Sequence, residues 1–528
     1  MKVRDRAYDV LRDHGMTRIF GNPGSTEIPF LTDLPRDLDY VLGLHEGAVV
    51  GIASGYALGT GRPAFVNLHT AAGLGNAVNA IVCARDNRIP LVIAVGQQDR
   101  RQLALQPFLT GRSLTRLAGD YPVWTCEPSH PDDVPGALAR AAHEASHRRG
   151  PALVVVPMGD WEQELADDRA GLAAPARLAL EPAVGQAPVE ELEALLAGAA
   201  RPALVVGAGL DTPEGWAAAV RLAERLSCPV WQDTFSSRAG FPQDHPLFAG
   251  HLPWRRADLR RVLAGSDLVV ALGTPAFRLY MYDGGPILAE GTRAAVVTDD
   301  PEEAFRSPSE LAVVAPPALV CDRLAASLPP REAVAVPPFA RPEPPEAGGP
   351  LTAAQLVDAL ARRLPAETAL FEEAPSTRPE ILARIAIRRP LGFVAVANGA
   401  LGFGLAGAIG MRMAVPGRPV VALVGDGAAT YSIQSLWTAA HYGVGVVVVV
   451  VGNGRYRVMD ELAAAHGGTG AWPGFAELDL VSVARGFGCA AERIEDHGRL
   501  EEALETAMAG AGSRETPLLL DVRVDQPA

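Results

Sequence analysis

Short apolar runs closed by glycine, each followed by an alanine-rich stretch with a helical apolar repeat, recur along the chain. PLVIAVGQ (90–97), PALVVGAGLD (202–211), VVALVGDG (420–427) and VVVVVVGN (446–453) are examples. Runs without polar alternation predict strands buried on both faces, and the intervening helical stretches predict parallel sheets covered by helices. The expected fold is therefore α/β, with doubly wound parallel sheets. The opening MKVRDRAYDVLRDHGM has charges throughout and no apolar core of a signal peptide, and reads as an amphipathic helix.

Two stretches rich in Pro and Ala divide the pattern into three blocks. They are Leu165 to Pro188 and Pro329 to Pro350, the latter reading PPREAVAVPPFARPEPPEAGGP. Prolines remove backbone donors and bar a helix interior or central strand, so these are linkers, and the expected domains are 1–165, 188–328 and 350–528. The first and last blocks echo each other: GRPAFVNLHT (61–70) lies over GRPVVALVGD (417–426), an offset of 356 residues. The same offset lays PLVIAVGQ over VVVVVVGN, which predicts two domains of one architecture. It sets His69 and Thr70 opposite Gly425 and Asp426, at the carboxyl ends of strands, where open α/β sheets hold ligands. In the middle block, GAG at 207–209 suggests a dinucleotide turn, but Thr212 stands at the third glycine position, so a structural turn is the better reading.

At 528 residues the chain exceeds one core. A formal charge of -14 with no basic block excludes a nucleic-acid binder and leaves small molecules as the expected ligands. Five scattered cysteines suggest neither disulfides nor zinc and fit a reducing cytoplasm. The valine run Val446 to Val451 is far too short to span a bilayer, so no membrane partner is expected.

Asp426 between Gly425 and Gly427 closes an apolar run, and 27 residues later Asn453 closes the next. A carboxylate and an amide oxygen there can hold a hard cation while glycine-exposed N–H groups face phosphate, which suits a Mg²⁺-bound diphosphate. The alternative is that Asp426 caps a helix beginning near Ala428. The recurrence of GDG and GNG at strand ends favours the metal.

With GNPGSTEIPFL (21–31), LHEGAVVGIASGYA (44–57), FVNLHTAAGLGNA (65–77), FRLYMYDGG (277–285), NGALGFGLAGAIG (398–410) and YSIQSLWTAAHY (431–442), the chain resembles the thiamine diphosphate enzymes of the benzoylformate decarboxylase family over nearly its whole length. The resemblance implies three α/β domains: pyrimidine-binding, central and diphosphate-binding. It also implies thiamine diphosphate with Mg²⁺ or Ca²⁺, a 2-oxo acid substrate, and a cofactor site shared between subunits, hence a dimer at least and an expected homotetramer.

By the same resemblance Glu46 is the acid that engages the aminopyrimidine ring. It opens a helix of small and apolar residues, where burial favours the neutral acid; alone, it reads equally as a carboxylate placed by the helix dipole. Asp426, Asn453 and the backbone carbonyl of Arg455 match the metal ligands. Ser376, Gly399, Gly425 and Gly427 match the cofactor cradle, and Leu401 matches the bulky residue that supports the cofactor. Ser25 matches the carboxylate-binding serine and His69 the first active-site histidine, although a turn serine and a strand-end histidine have plainer structural readings.

Departures from the family are specific. Tyr280 stands where a second histidine is expected, and a phenol, titrating near about 10 against about 6.5 for imidazole, shuttles protons poorly at neutral pH. Ala395 replaces a phenylalanine of the aromatic pocket, which Val458, Met459 and Leu462 would also border; Gly452 replaces an asparagine and Ala428 a frequent hydroxyl. The leading reading is a non-oxidative decarboxylase. The alternatives are a carboligase of the acetolactate-synthase or benzoin type and an inactive cofactor-binding relative.

Overall fold

The structure is a computed structural model and describes residues 1–166, 178, 183–332, 336–346 and 348–525. The expected first linker lies largely outside the described residues, as do positions 333–335 and 347 of the second; residues 336–346 form no helix or strand.

Three six-stranded parallel sheets carry the chain. The first contains β1 (Arg18–Asn22), β2 (Asp39–Leu42), β3 (Ala64–Leu68), β4 (Leu91–Gln97), β5 (Trp124–Cys126) and β6 (Pro151–Pro157), in the order β2-β1-β3-β4-β6-β5. The middle sheet contains β7 (Pro202–Val206), β8 (Val230–Gln232), β9 (Phe248–His251), β10 (Leu268–Leu272), β11 (Arg293–Thr298) and β12 (Leu311–Val314), in the order β12-β11-β10-β7-β8-β9. The third contains β13 (Ala369–Glu373), β14 (Phe393–Ala395), β15 (Val420–Gly425), β16 (Val447–Gly452), β17 (Ala490–Ile494) and β18 (Leu518–Arg523), in the order β14-β13-β15-β16-β18-β17. Counted from its own first strand, the third sheet repeats the first. The 356-residue offset carries Ala64 onto Val420 and Leu91 onto Val447, which open β15 and β16.

Helices cover both faces, so the central strands β4, β6 and β16 are buried along their whole length. Each fully buried valine or leucine there contributes roughly 1.5–3 kcal/mol of transfer free energy. The valine run belongs to such a strand, and among the described residues no helix is long and apolar enough to cross a membrane. The opening stretch forms the helix Val3–Asp13, burying Val3, Ala7, Tyr8, Val10 and Leu11.

The middle sheet answers the GAG question. Thr212 caps the helix Pro213–Leu226 by accepting from Gly215 N at 2.9 Å. At the switch between β7 and β10, a Cβ on Gly209 would come 2.7 Å from Gly273 Cα. The glycines there serve close packing of the chain on itself, as the structural-turn reading expects.

First and third units meet through the helices Glu46–Thr60 and Gly404–Ala414. A Cβ on Gly55 would lie 1.8 Å from Gly407 O, and one on Gly410 1.8 Å from Ile52 O, so the two backbones touch. This contact fixes the helix that begins with Glu46 against the third unit.

Candidate active site

At the first sheet, the carboxyl ends of β1 and β3 and the helix after β2 gather the titratable groups. Glu46 is buried, with Asn22 Nδ2 donating to one carboxylate oxygen at 3.1 Å and Asn76 Nδ2 to the other at 2.9 Å. His69 precedes the helix Thr70–Asp86, and its Nδ1 lies 3.0 Å from Glu27 Oε2 and 3.0 Å from Thr26 Oγ1. Thr26 gives its own proton to Glu27 Oε1 at 2.6 Å, so toward the ring it can only accept. Nδ1 therefore carries the hydrogen, and in the neutral ring Nε2 keeps its lone pair. Glu27 is 1% exposed; Gly24 N also donates to it at 2.8 Å, and Gly96 of β4 leaves room for its carboxylate. Ser25 sits exposed in the same turn, and its hydroxyl has no partner among the described residues.

The third sheet gathers oxygens. Asp426 does not cap its helix; Gly425 holds the N-cap of the short Asp426–Ala429 turn. The carboxylate accepts from Gly427 N at 2.8 Å and from Gly454 N at 2.6 Å, which ties the end of β15 to the loop after β16. Burial holds its pKa above the ordinary carboxylate value, against the pull of those two N–H donors. Asn453 is 7% exposed, and its Oδ1 accepts from Arg455 N at 3.1 Å. Beside Gly425 a Cβ would meet only Glu373 O at 3.9 Å, and beside Gly399, whose φ is +74°, nothing within 4 Å. The Asp426 carboxylate and the Asn453 amide oxygen, just past two neighbouring strand ends beside open glycine backbone, are oxygen donors of the kind that suits a hard cation and a diphosphate.

Other expected residues have distinct places. Ser376 Oγ accepts from Val458 N at 3.1 Å, holding the start of the helix Arg457–Ala465. A Cβ on Gly427 would come 2.7 Å from Tyr456, so this glycine admits an aromatic ring over the turn. Leu401 is half-buried and follows Gly399. Gly452 has a steric reason: a Cβ would stand 2.8 Å from the buried Asp521 Oδ1. Ala428 is buried. Ala395 is wholly buried on the edge strand β14 within the core of the third unit, so it does not border an open pocket, whereas Val458, Met459 and Leu462 remain partly exposed. Tyr280, on the middle unit, is 49% exposed and stands edge-on to Phe235 at 6.1 Å, with its N–H donating to Trp254 O at 3.1 Å.

Within one chain, no hydrogen bond or ion pair among the described residues joins Glu46 or His69 to Asp426 or Asn453. Sequence reasoning missed Glu27, Asn22, Asn76 and Glu373. Glu27 had a signal, a carboxylate three residues after Gly24 in the same turn as Ser25. The two asparagines had none until the fold set them around Glu46. Glu373 ends β13 and accepts from Gly402, Phe403 and Gly404 N at 2.7, 2.8 and 2.6 Å, while burial pushes its pKa up to about 7.

Comparison with known proteins identifies the family and the fold. Residues 1–113 match the thiamine pyrophosphate enzyme N-terminal TPP binding domain, 189–324 its central domain, and 380–522 its C-terminal TPP binding domain. Benzoylformate decarboxylase of Pseudomonas aeruginosa is 38% identical, covering 98% of each chain. Two solved structures superpose on the whole fold. The thiamine diphosphate-dependent 4-hydroxybenzoylformate decarboxylase of Rhodococcus jostii has a TM-score of 0.95 at 35% identity, covering 100% of both chains. The benzoylformate decarboxylase of Polynucleobacter necessarius has a TM-score of 0.94 at 31% identity, covering 99% of both. With all three family domains matched in order, and relatives aligned from end to end, the chain belongs to the thiamine pyrophosphate enzymes, in the family that includes benzoylformate decarboxylase.

Proposed function

We propose that this protein decarboxylates a benzoylformate-like 2-oxo acid to an aldehyde and CO₂, using thiamine diphosphate held through Mg²⁺, with Ca²⁺ able to serve in the same oxygen set. The observation that carries the reading is the presence in one chain of two complementary strand-end sites, the amide-held Glu46 and the oxygen donors around Asp426. Units 1–165, 188–328 and 350–528 are assigned as the pyrimidine-binding, central and diphosphate-binding domains.

Bound thiamine diphosphate supplies a carbon nucleophile and a sink for the electron pair left by departing CO₂. Asp426, Asn453 and the Arg455 carbonyl are assigned to the metal, and Gly399, Gly425, Gly427 and Ser376 to the cofactor cradle beside Leu401. Glu46 exchanges a proton with the cofactor ring, with Asn22 and Asn76 holding both its oxygens in place. The Ser25 hydroxyl, exposed and uncommitted, binds the substrate carboxylate. His69 moves protons at Nε2, because Glu27 fixes the hydrogen on Nδ1. Tyr280 donates a hydrogen bond, and the proton traffic rests on His69.

No hydrogen bond or ion pair among the described residues joins the two half-sites within one chain, which supports a shared site and at least a dimer; a homotetramer is the assembly we assign. All five cysteines are free thiols, which supports a reducing, cytoplasmic setting. The test is release of aldehyde and CO₂ from a panel of aromatic and aliphatic 2-oxo acids with thiamine diphosphate and Mg²⁺; silence across the panel would overturn the reading. Tyr280 favours a second reading, carboligation. Ligated products formed in preference to aldehyde, with benzaldehyde or pyruvate supplied, would establish it. The intact surroundings of Glu46 weigh against an inactive relative.

A further inference from the structure

The segment leaving β14 carries Gly399 and Leu401 into the helix Gly404–Ala414, yet residues 396–403 form no strand or helix of their own. Side chains from elsewhere hold it. Asn87 follows the helix Thr70–Asp86 of the first unit and is 2% exposed; it donates Nδ2 to Ala395 O at 2.9 Å and accepts from Ala397 N at 2.8 Å. Its amide thus pairs alternate backbone groups at and just past the end of β14, as a neighbouring strand would, beside the bridge that Ser237 and Arg238 make to the same edge. Asp86 accepts from Asn398 Nδ2 at 2.8 Å, and Asn79 Nδ2 donates to Leu401 O at 2.9 Å. Asn79 and Asp86, seven residues apart, share one helical face.

Two further elements tighten the segment. Arg238 Nη1 donates to Asn87 O at 3.3 Å and Arg278 Nη1 to Ala397 O at 3.3 Å, both from the middle unit. Glu373 takes the three N–H groups that follow Leu401. The helix that grips the segment is the one headed by His69, and its Asn76 holds Glu46.

We propose that Asn79 and Asn87 are positioning residues for the cofactor: they clamp residues 395–401 so that Gly399 and Leu401 are presented to thiamine diphosphate. The Thr70–Asp86 helix then sets the geometry of both half-sites of its chain. Where each active site is completed by a second subunit, one helix serves two active sites. This rests on the assignment of Gly399 and Leu401 to the cofactor.

The test is titration of thiamine diphosphate into the full chain, stripped of cofactor and supplied with Mg²⁺, followed by calorimetry beside the melting temperature of the cofactor-free protein. Asn79→Ala removes one donor at the surface. It is expected to leave that melting temperature unchanged and to weaken cofactor binding about fivefold, the factor that loss of a single hydrogen bond gives. Asn79→Asp keeps the shape without the donor and should behave like Asn79→Ala, whereas a filler role would leave it like the parent. Asn87→Ala should weaken binding further. At saturating cofactor, kcat should fall with the KM for the 2-oxo acid unchanged. Parental cofactor affinity in both Asn79 variants would overturn the proposal, as would an affinity loss that only tracks a lower melting temperature. Failure of the parent protein to bind thiamine diphosphate would instead overturn the function proposed above.

Discussion

The first and third sheets share strand order, and the chain offset superposes β3 on β15 and β4 on β16, yet their carboxyl ends carry different groups. The first ends in titratable side chains, Glu46 and the His69–Glu27 pair; the third ends in glycines and acceptor oxygens around Asp426. The architecture supplies the place, because parallel strands and the helix starts beside them open toward one edge. The few residues after each strand supply the chemistry. At equivalent positions stand His69 and Gly425, then Thr70 and Asp426: a ring opposite bare backbone, and a hydroxyl opposite a carboxylate.

Three substitutions test whether this division of labour is real. The largest effect is expected from Glu46→Gln, which keeps the size and loses the acid. Turnover should fall by about 10³, or about 4 kcal/mol in activation free energy, with thiamine diphosphate still bound and the melting temperature retained. Near-parental turnover would remove the proton role from the first sheet. Next, Asp426→Asn should weaken Mg²⁺-dependent cofactor binding by more than the roughly 10–100-fold that loss of an outer partner costs, since a proposed ligand is changed. Saturated turnover should suffer less than in Glu46→Gln; equal losses in both would erase the contrast.

The smallest effect concerns Glu373, a buried carboxyl on the oxygen side. Its pKa is raised to about 7 from 4.5, so between these values the folded protein binds the extra proton. Stability from this group is therefore present below about pH 4.5 and is lost as pH rises to about 7. The difference in unfolding free energy between the parent and Glu373→Gln should shift against the parent by about 3 kcal/mol across that window. A flat difference would mean that the three backbone donors fully offset burial.

The fold was legible where pattern and physics coincide. Apolar runs without alternation gave parallel strands, and the repeated GRP-apolar segments gave two sheets of one order. At the GAG turn the sequence showed only Thr212 in place of a third glycine, and the structure gave that threonine its role as a helix cap. The placement of Asp426 and Asn453 just past the ends of β15 and β16 was legible from the glycines that close both apolar runs. The burial of Ala395 was hidden, because the residues that cover the edge of β14, Ser237 and Asn87, come from distant parts of the chain. Glu27, Asn22 and Asn76 were hidden because an asparagine or glutamate in a motif does not announce its partner.

The sequence by itself determined the fold class, which follows from periodicity, and its motifs carried the resemblance that names the cofactor family. Only the tertiary structure decided which groups hold the reactive ones. Asn22 and Asn76 reach Glu46 across 24 and 30 residues, Glu27 reaches His69 across 42, and Asn87 reaches Ala395 across 308. The sheet sets β1 beside both β2 and β3, and the packed helices bring the third unit against the first. A hydrogen bond needs its partners within about 3 Å, and that proximity is set by the order of strands and the packing of units, which no local pattern encodes.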